Sequence, residues 1–468
     1  MPAAAVKASF IDDAVLQRLL GSAEKPSAAR LGQILDKAAL AKGLDLEEVA
    51  DLLMVEDPDQ LEAMFQTAFA IKQKIYGNRI VLFAPLYVSN LCVNNCRYCG
   101  FRRSNEQEVR RRLTQEEVAE EVRALIRMGH KRVLLEAGED PVNCDIDYIV
   151  DCIRTIYRVR EGRGNIRRVN VNIAATTTEN YRKLKEAHIG TYQLFQETYH
   201  RPTYALMHPS GPKHNYDWHT TAHDRAMEAG IDDVGVGVLF GLYDYRYEVL
   251  ALLLHVRHLE DRFGVGPHTI SVPRLQPAPG VDLAAFPHLV SDGAFKKLVA
   301  ILRLAVPYTG MILSTRETPE MRAQLLRLGV SQISAGSSVV IGGYSQATRE
   351  ERAAAQFAQG DHRSPDEVIR WLCEEGYLPS YCTACYRQGR TGDRFMALAK
   401  TGQIQNLCQP NALLTFEEYL EDYASPETRE IGRRTEAANL AQIPSEKVRA
   451  ETERRLLRIR AGERDLFF

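Results

Sequence analysis

The 468-residue chain has no surplus of either charge, since 59 basic residues meet 61 acidic ones. Neither a polyanion nor an anionic membrane surface is therefore an expected partner, and nucleic-acid modification loses ground. No apolar run is long enough to span a bilayer, and the first residues, Met1 to Lys7, lack the charged-then-apolar order of a signal peptide. Both absences predict a soluble, cytoplasmic protein. Internal repeats and low-complexity linkers are missing as well. Cysteines number nine, and in a reducing compartment they are better read as metal ligands or buried thiols than as disulfides. Hydrophobic residues make up 45% of the chain, enough for one large domain with appendages or for two or three ordinary domains.

What the chain does have is Cys92, Cys96 and Cys99 in a C-x3-C-x2-C array, directly after the strand-like run 80–88. Three thiolates on one short loop can hold three irons of a four-iron cubane and leave the fourth iron open. Zinc usually takes four ligands, and the spacing suits it poorly. The array, with Tyr98 just before its last cysteine, resembles the signature of the radical S-adenosylmethionine (SAM) enzymes. The resemblance implies a [4Fe-4S] cluster whose open iron is chelated by the methionine end of the cofactor, and reductive cleavage of the sulfonium to give an organic radical.

From residue 80 to about 341, short β-branched runs alternate with amphipathic segments, the pattern of parallel β/α units. Eight strand candidates cover 80–88, 132–139, 169–174, 193–197, 234–240, 269–273, 311–315 and 332–335, with helical segments such as 115–128, 247–263 and 295–304 between them. The fold class expected is α/β, a closed (β/α)8 barrel of the TIM type. Its chemistry would lie where strands end, which is where the cysteine loop stands. Domains are expected at 1–78, a helical segment wrapping the barrel; 79–364, the barrel; and 365–468, a helical appendage whose Phe467-Phe468 end docks or frays.

The appendage carries a second set, Cys382-Thr383-Ala384-Cys385 with Cys408. It reads as a second iron–sulfur cluster one ligand short, or as zinc with a fourth ligand elsewhere. Its surroundings, 382–396 and 408–415, together with the barrel phrases 135–141 and 237–245, resemble the tyrosine lyases of [FeFe]-hydrogenase maturation over nearly the whole chain. The related thiamine-pathway tyrosine lyases share the barrel and lack this C-terminal array. The resemblance implies cleavage of the Cα–Cβ bond of L-tyrosine to p-cresol and dehydroglycine (2-iminoacetate), and conversion of dehydroglycine to carbon monoxide and cyanide. It also implies their assembly at the auxiliary cluster as an Fe(CO)2(CN)–cysteine synthon for the hydrogenase H-cluster. Expected partners are L-tyrosine, free cysteine as a ligand of a labile fifth iron, a flavodoxin- or ferredoxin-type reductant and other hydrogenase maturation proteins. An iron–sulfur scaffold or carrier without catalysis is the alternative from another class.

Residue by residue, the resemblance gives Glu139 as acceptor for the ammonium of SAM, Tyr98 as a backbone contact near its adenine, and Glu197 and Arg225 as contacts of its ribose and carboxylate. An ordinary Glu197–Arg225 ion pair is the competing reading. A tyrosine carboxylate calls for a bidentate guanidinium. Arg316 is the candidate, helped by Ser334 or Ser337, with Arg274 and Arg322 as competitors. The histidine-rich stretch 200–223 matches no single metal shell and reads as loop and helix surface. His268, just before the sixth strand, is by resemblance the ligand of the labile iron. That puts the two clusters at opposite mouths of one partly hollow barrel, about 23 Å apart for a strand of roughly seven residues.

Overall fold

A computed structural model describes residues 6–345, 356–400 and 404–468; residues 1–5, part of the N-terminal stretch considered above, lie outside them. All eight expected strands form, in the order of the chain: β1 (Arg79–Ser89), β2 (Arg132–Ala137), β3 (Arg168–Asn172), β4 (Tyr192–Gln193), β5 (Val234–Gly237), β6 (Thr269–Ser271), β7 (Gly310–Leu313) and β8 (Gln332–Ser334). Each pairs in parallel with the next, and β8 and β2 both pair with β1, so the sheet closes into a barrel. Strands covered by helices outside and side chains inside are buried on both faces. That is why β1 is a nearly continuous apolar run rather than an alternating one.

Helices return the chain from the top of one strand to the bottom of the next, and their ends follow local chemistry. Gln115–Arg127 starts on a capping box of Thr114 and Glu117. Tyr245–Phe263 starts on Asp244 and stops at Gly264, whose φ of +73° is a left-handed stop. Four helices precede the barrel: Asp13–Ser22, Ala28–Ala39, Leu46–Leu53 and Pro58–Tyr76, each capped by Asp or Ser. The last of these packs on Asp292–Ala305 and feeds directly into β1.

Two features depart from the sequence reading. The fourth strand is two residues long instead of five, because Glu197 takes a left-handed φ of +70° and bends the segment; its backbone still bonds to β5 through Leu194 and Gln196. A ninth strand, β9 (Leu378–Ser380), was not foreseen, since three residues including a proline carry no periodic signal. It pairs in parallel with Arg79, Ile80 and Val81 at the start of β1, so the barrel sheet continues across the boundary expected at 364/365.

Beyond β9, helices Ile404–Asp422, Pro426–Ala441 and Glu446–Arg460 stack on the lower end of the barrel. A buried ion cluster ties them there: Glu418 receives Lys131 at 3.1 Å and Arg167 at 2.7 Å, all three almost fully buried. The chain end docks. Phe468 N–H donates to Asn411 Oδ1 at 2.8 Å, and its carbonyl accepts from Arg390 at 2.8 Å. No helix among the described residues is long and apolar enough to cross a membrane.

Candidate active site

The register shift in β1 between Tyr87 and Ser89 turns the chain at the upper mouth, and the first cysteine loop follows at once. The loop is pinned on both sides. Val93 N–H donates to Glu139 O at 2.8 Å, Arg97 N–H to Met207 O at 3.0 Å, and Asn105 Nδ2 to Gly100 O at 2.7 Å. Cys92, Cys96 and Cys99 all face a cavity of about 200 Å³ that runs down the barrel to Phe83, Leu134 and Ile312. Burial pushes the Cys96 thiol well up and the Cys99 thiol to about 11. A metal supplies the positive charge that such sites lack. Among the described residues no three His, Cys, Asp or Glu side chains close on one point as for a single ion. Three thiols ringing a cavity mouth are suited to a cubane, in which each takes a separate iron.

The expected cofactor residues divide. Glu139 lines the cavity and accepts from Asn94 Nδ2 at 2.5 Å; burial pushes its carboxyl up, and Asn94 and Lys213 pull it back. Tyr98 lines the cavity too, its hydroxyl 2.8 Å from His208 Nε2. Glu197 sits on the wall, but the competing reading of a pair with Arg225 does not hold. Its partner is Lys213, at 2.6 Å. Against burial, which lowers it, Glu197 and the Cys96 thiol hold the Lys213 ammonium above its ordinary value. Arg225 stands off the cavity, stacked 3.7 Å from the Trp218 ring and donating to the carbonyls of Thr176, Trp218 and Thr221. Lys213 was overlooked because its link to Glu197 spans a loop and leaves no spacing signal. The histidines of 200–223 are not mainly surface groups either. His208, His219 and His223 are buried, bonded to the carbonyls of Tyr204, Phe195 and Gly235.

Deeper in the cavity, Arg316 stacks on Phe357, its guanidinium carbon 3.3 Å from the ring centre, with no carboxylate in ion-pair reach among the described residues. Burial lowers its pKa. Its competitors are committed: Arg274 pairs with Glu317 and Asp292, and Arg322 with Asp361. Ser334 lines the cavity and accepts from Thr315 N–H at 3.2 Å. Ser337 lies outside the wall, its hydroxyl buried without a partner among the described residues, while Ser314 lines the cavity. Glu136 and Tyr87 complete this zone.

The lower mouth is built from strand beginnings. Cys382 follows β9, and its carbonyl accepts from Arg132 Nη1 at 3.0 Å. Cys385 lies on the short helix Ala384–Arg387, and Cys408 on Ile404–Asp422. A hydrogen bond from Cys385 lowers the Cys408 thiol, against burial and with help from Arg79 and Arg390. His268 stands before β6 with its ring 4.4 Å from that of Phe395, and its Nδ1 is 3.5 Å from Asp233 Oδ1. Arg168 lies over the Tyr386 ring at 3.5 Å. His268 Nδ1, Asp233 Oδ2 and the Nε atoms of Arg132 and Arg168 are buried without hydrogen-bond partners among the described residues. A concentration of orphaned buried polar atoms next to three cysteines fits a site made for a further group.

Comparison with known proteins gives the family. Residues 86–255 match the radical SAM superfamily, and residues 271–378 match the Biotin and Thiamin Synthesis associated domain. The 2-iminoacetate synthase of Salmonella typhimurium is 31% identical over 346 residues, 74% of this chain and 88% of that protein. A crystal structure of HydG, a maturase of the [FeFe]-hydrogenase, is 63% identical with a TM-score of 0.96, covering 98% of this chain and all of its own. The FeFe-hydrogenase maturase HydG from Carboxydothermus hydrogenoformans is 41% identical with a TM-score of 0.83, covering 96% of this chain and 99% of its own. The likeness runs along nearly the whole length of the chain, which therefore belongs to the HydG family of radical SAM enzymes.

Proposed function

We propose that this chain is a carbon–carbon lyase that breaks the Cα–Cβ bond of L-tyrosine to give p-cresol and dehydroglycine, and that dehydroglycine is converted to carbon monoxide and cyanide for the Fe(CO)2(CN) synthon of the hydrogenase H-cluster. The observation that carries the reading is Arg316, among the described residues the only arginine on the cavity wall, uncommitted to any acid there and sharing its chamber with three thiols. When bound, the cluster and SAM supply a one-electron cleavage that yields an organic radical. Cys92, Cys96 and Cys99 would hold that cluster. Glu139 with Asn94 would accept the cofactor's ammonium, and Glu197 and Tyr98 would contact the rest of it, Arg225 standing behind the wall. Lys213 joins this set by its pairing with Glu197. Arg316 would take the substrate carboxylate bidentately, with Ser334 on the wall as helper and Ser337 behind it.

At the lower mouth, Cys382, Cys385 and Cys408 would hold the auxiliary cluster and His268 the labile fifth iron. The unpartnered Nε–H groups of Arg132 and Arg168 and the free Oδ2 of Asp233 suit the carboxylate and ammonium of a free cysteine bound to that iron. A flavodoxin- or ferredoxin-type reductant and other maturation proteins complete the proposed partners. The experiment is anaerobic reconstitution followed by assay with SAM, reductant and tyrosine. p-Cresol together with iron-bound carbonyl and cyanide in the infrared is the expected result. p-Cresol with no iron–carbonyl signal would favour a thiamine-pathway lyase, and no 5′-deoxyadenosine at all a cluster carrier.

A further inference from the structure

Among the described residues three carboxylates line the upper cavity, and two are engaged: Glu139 by Asn94 and Glu197 by Lys213. The third, Glu136, has no ion-pair partner among the described residues. It is the register partner of Tyr87 across the β1–β2 pair, and both side chains point into the cavity. The ionisable groups facing it are Tyr87 from β1, Tyr344 from beyond β8 and Arg316 from beyond β7. A carboxyl set inside a barrel cavity with no counter-ion is costly to a fold, so it calls for a use.

The tyrosine reading supplies one, and the inference rests on it. With the substrate carboxylate on Arg316, the α-ammonium on the adjoining carbon falls beside the guanidinium and needs an acceptor there. Dehydroglycine contains a C=N bond, and scission of Cα–Cβ forms that bond with electrons supplied by the nitrogen, from its lone pair or from a nitrogen-centred radical. An ammonium that keeps all its protons offers neither. We propose that Glu136 is the base that deprotonates the substrate's α-ammonium: an N–H bond breaks, an O–H bond forms on the carboxylate, and the electron pair stays on nitrogen. No oxidant or reductant enters this step. Burial pushes the Glu136 carboxyl up to about 7, opposed by Tyr87 and Arg316, which brings its proton affinity close to neutral pH as a general base requires.

The test uses the reconstituted holoenzyme as wild type, Glu136→Gln and Glu136→Asp. Tyrosine binding to the wild type should add a carboxylic-acid carbonyl band to the infrared difference spectrum, and Glu136→Gln should lack it. Its p-cresol kcat should fall by about 10²- to 10⁴-fold with KM little changed, Glu136→Asp recovering part of the loss. Cofactor cleavage without tyrosine should be untouched. Wild-type kcat/KM should rise with pH through about 7, as the carboxyl becomes the free base, and Glu136→Gln should lose that limb. A Gln variant within about threefold of wild-type kcat, or one whose only defect is a raised KM, would falsify the assignment. Absence of p-cresol from the wild type itself would instead overturn the tyrosine reading.

Discussion

The two mouths of the barrel hold cysteine triads made in opposite ways. The upper triad occupies one loop, residues 92–99, whose backbone is held by the carbonyls of Glu139 and Met207 within the barrel. The lower triad brings together β9, a short helix and Ile404–Asp422, and its surroundings come from the starts of β2, β3, β5 and β6. A triad carried on one loop has its three thiols on the same segment before anything docks. One assembled from distant segments depends on docking, here on the buried Lys131–Glu418–Arg167 cluster and the tucked chain end. Damage to the docking should therefore touch one mouth and spare the other.

Substitutions can break that contrast, and the largest effect is expected at the top. Cys96→Ala should abolish 5′-deoxyadenosine and p-cresol together, because two thiolates cannot hold a cubane with its open iron in place; p-cresol at the normal rate would sink the radical assignment. Removing Cys382 and Cys385 together should leave p-cresol intact and eliminate the iron–carbonyl bands. If those bands persisted, the lower triad would be a structural metal site. Glu418→Gln leaves the buried Lys131 without its carboxylate while Arg167 keeps Asp465, a loss of about 3–5 kcal/mol in unfolding experiments. Per molecule still folded, it should weaken iron–carbonyl formation more than p-cresol formation, and equal losses would contradict the separation. Arg316→Leu should cost about 1–3 kcal/mol, raising the tyrosine KM roughly tenfold to a hundredfold; an unchanged KM would transfer the anchoring role to another group. The mildest variant is His268→Ala. It should keep the auxiliary cluster and lose only the labile iron, read as a fall of about one iron per chain with p-cresol production unaltered.

How much of this could be read from the chain follows the same division. Periodicity gave the eight strands and the order of the barrel, since buried parallel strands are apolar runs that need no knowledge of their neighbours. The cysteine spacings gave both triads. Side chains whose partners lie on another segment were another matter. Lys213 took Glu197 in place of Arg225, and the buried state of His208, His219 and His223 depends on carbonyls brought up by folding. Arg316 could be ranked only among three arginines until Arg274 and Arg322 were found paired. Glu136 escaped notice because a glutamate inside a strand looks like any solvent-facing position until the barrel closes around it. β9 was too short to announce itself.

β1 has one more consequence. Its first residues pair with the strand that leads to Cys382, and its last residue leads to Cys92. The two sites are therefore mounted on opposite ends of one member, which acts as a ruler. Eleven residues give ten rises of roughly 3.3 Å, a ceiling of about 33 Å on the span it can gauge. Loops elsewhere can grow or shrink without moving either graduation. Adding or deleting a residue pair inside β1 would keep every side chain on its proper face and still change the reading, so the separation of the two cysteine triads is written in the length of a single strand.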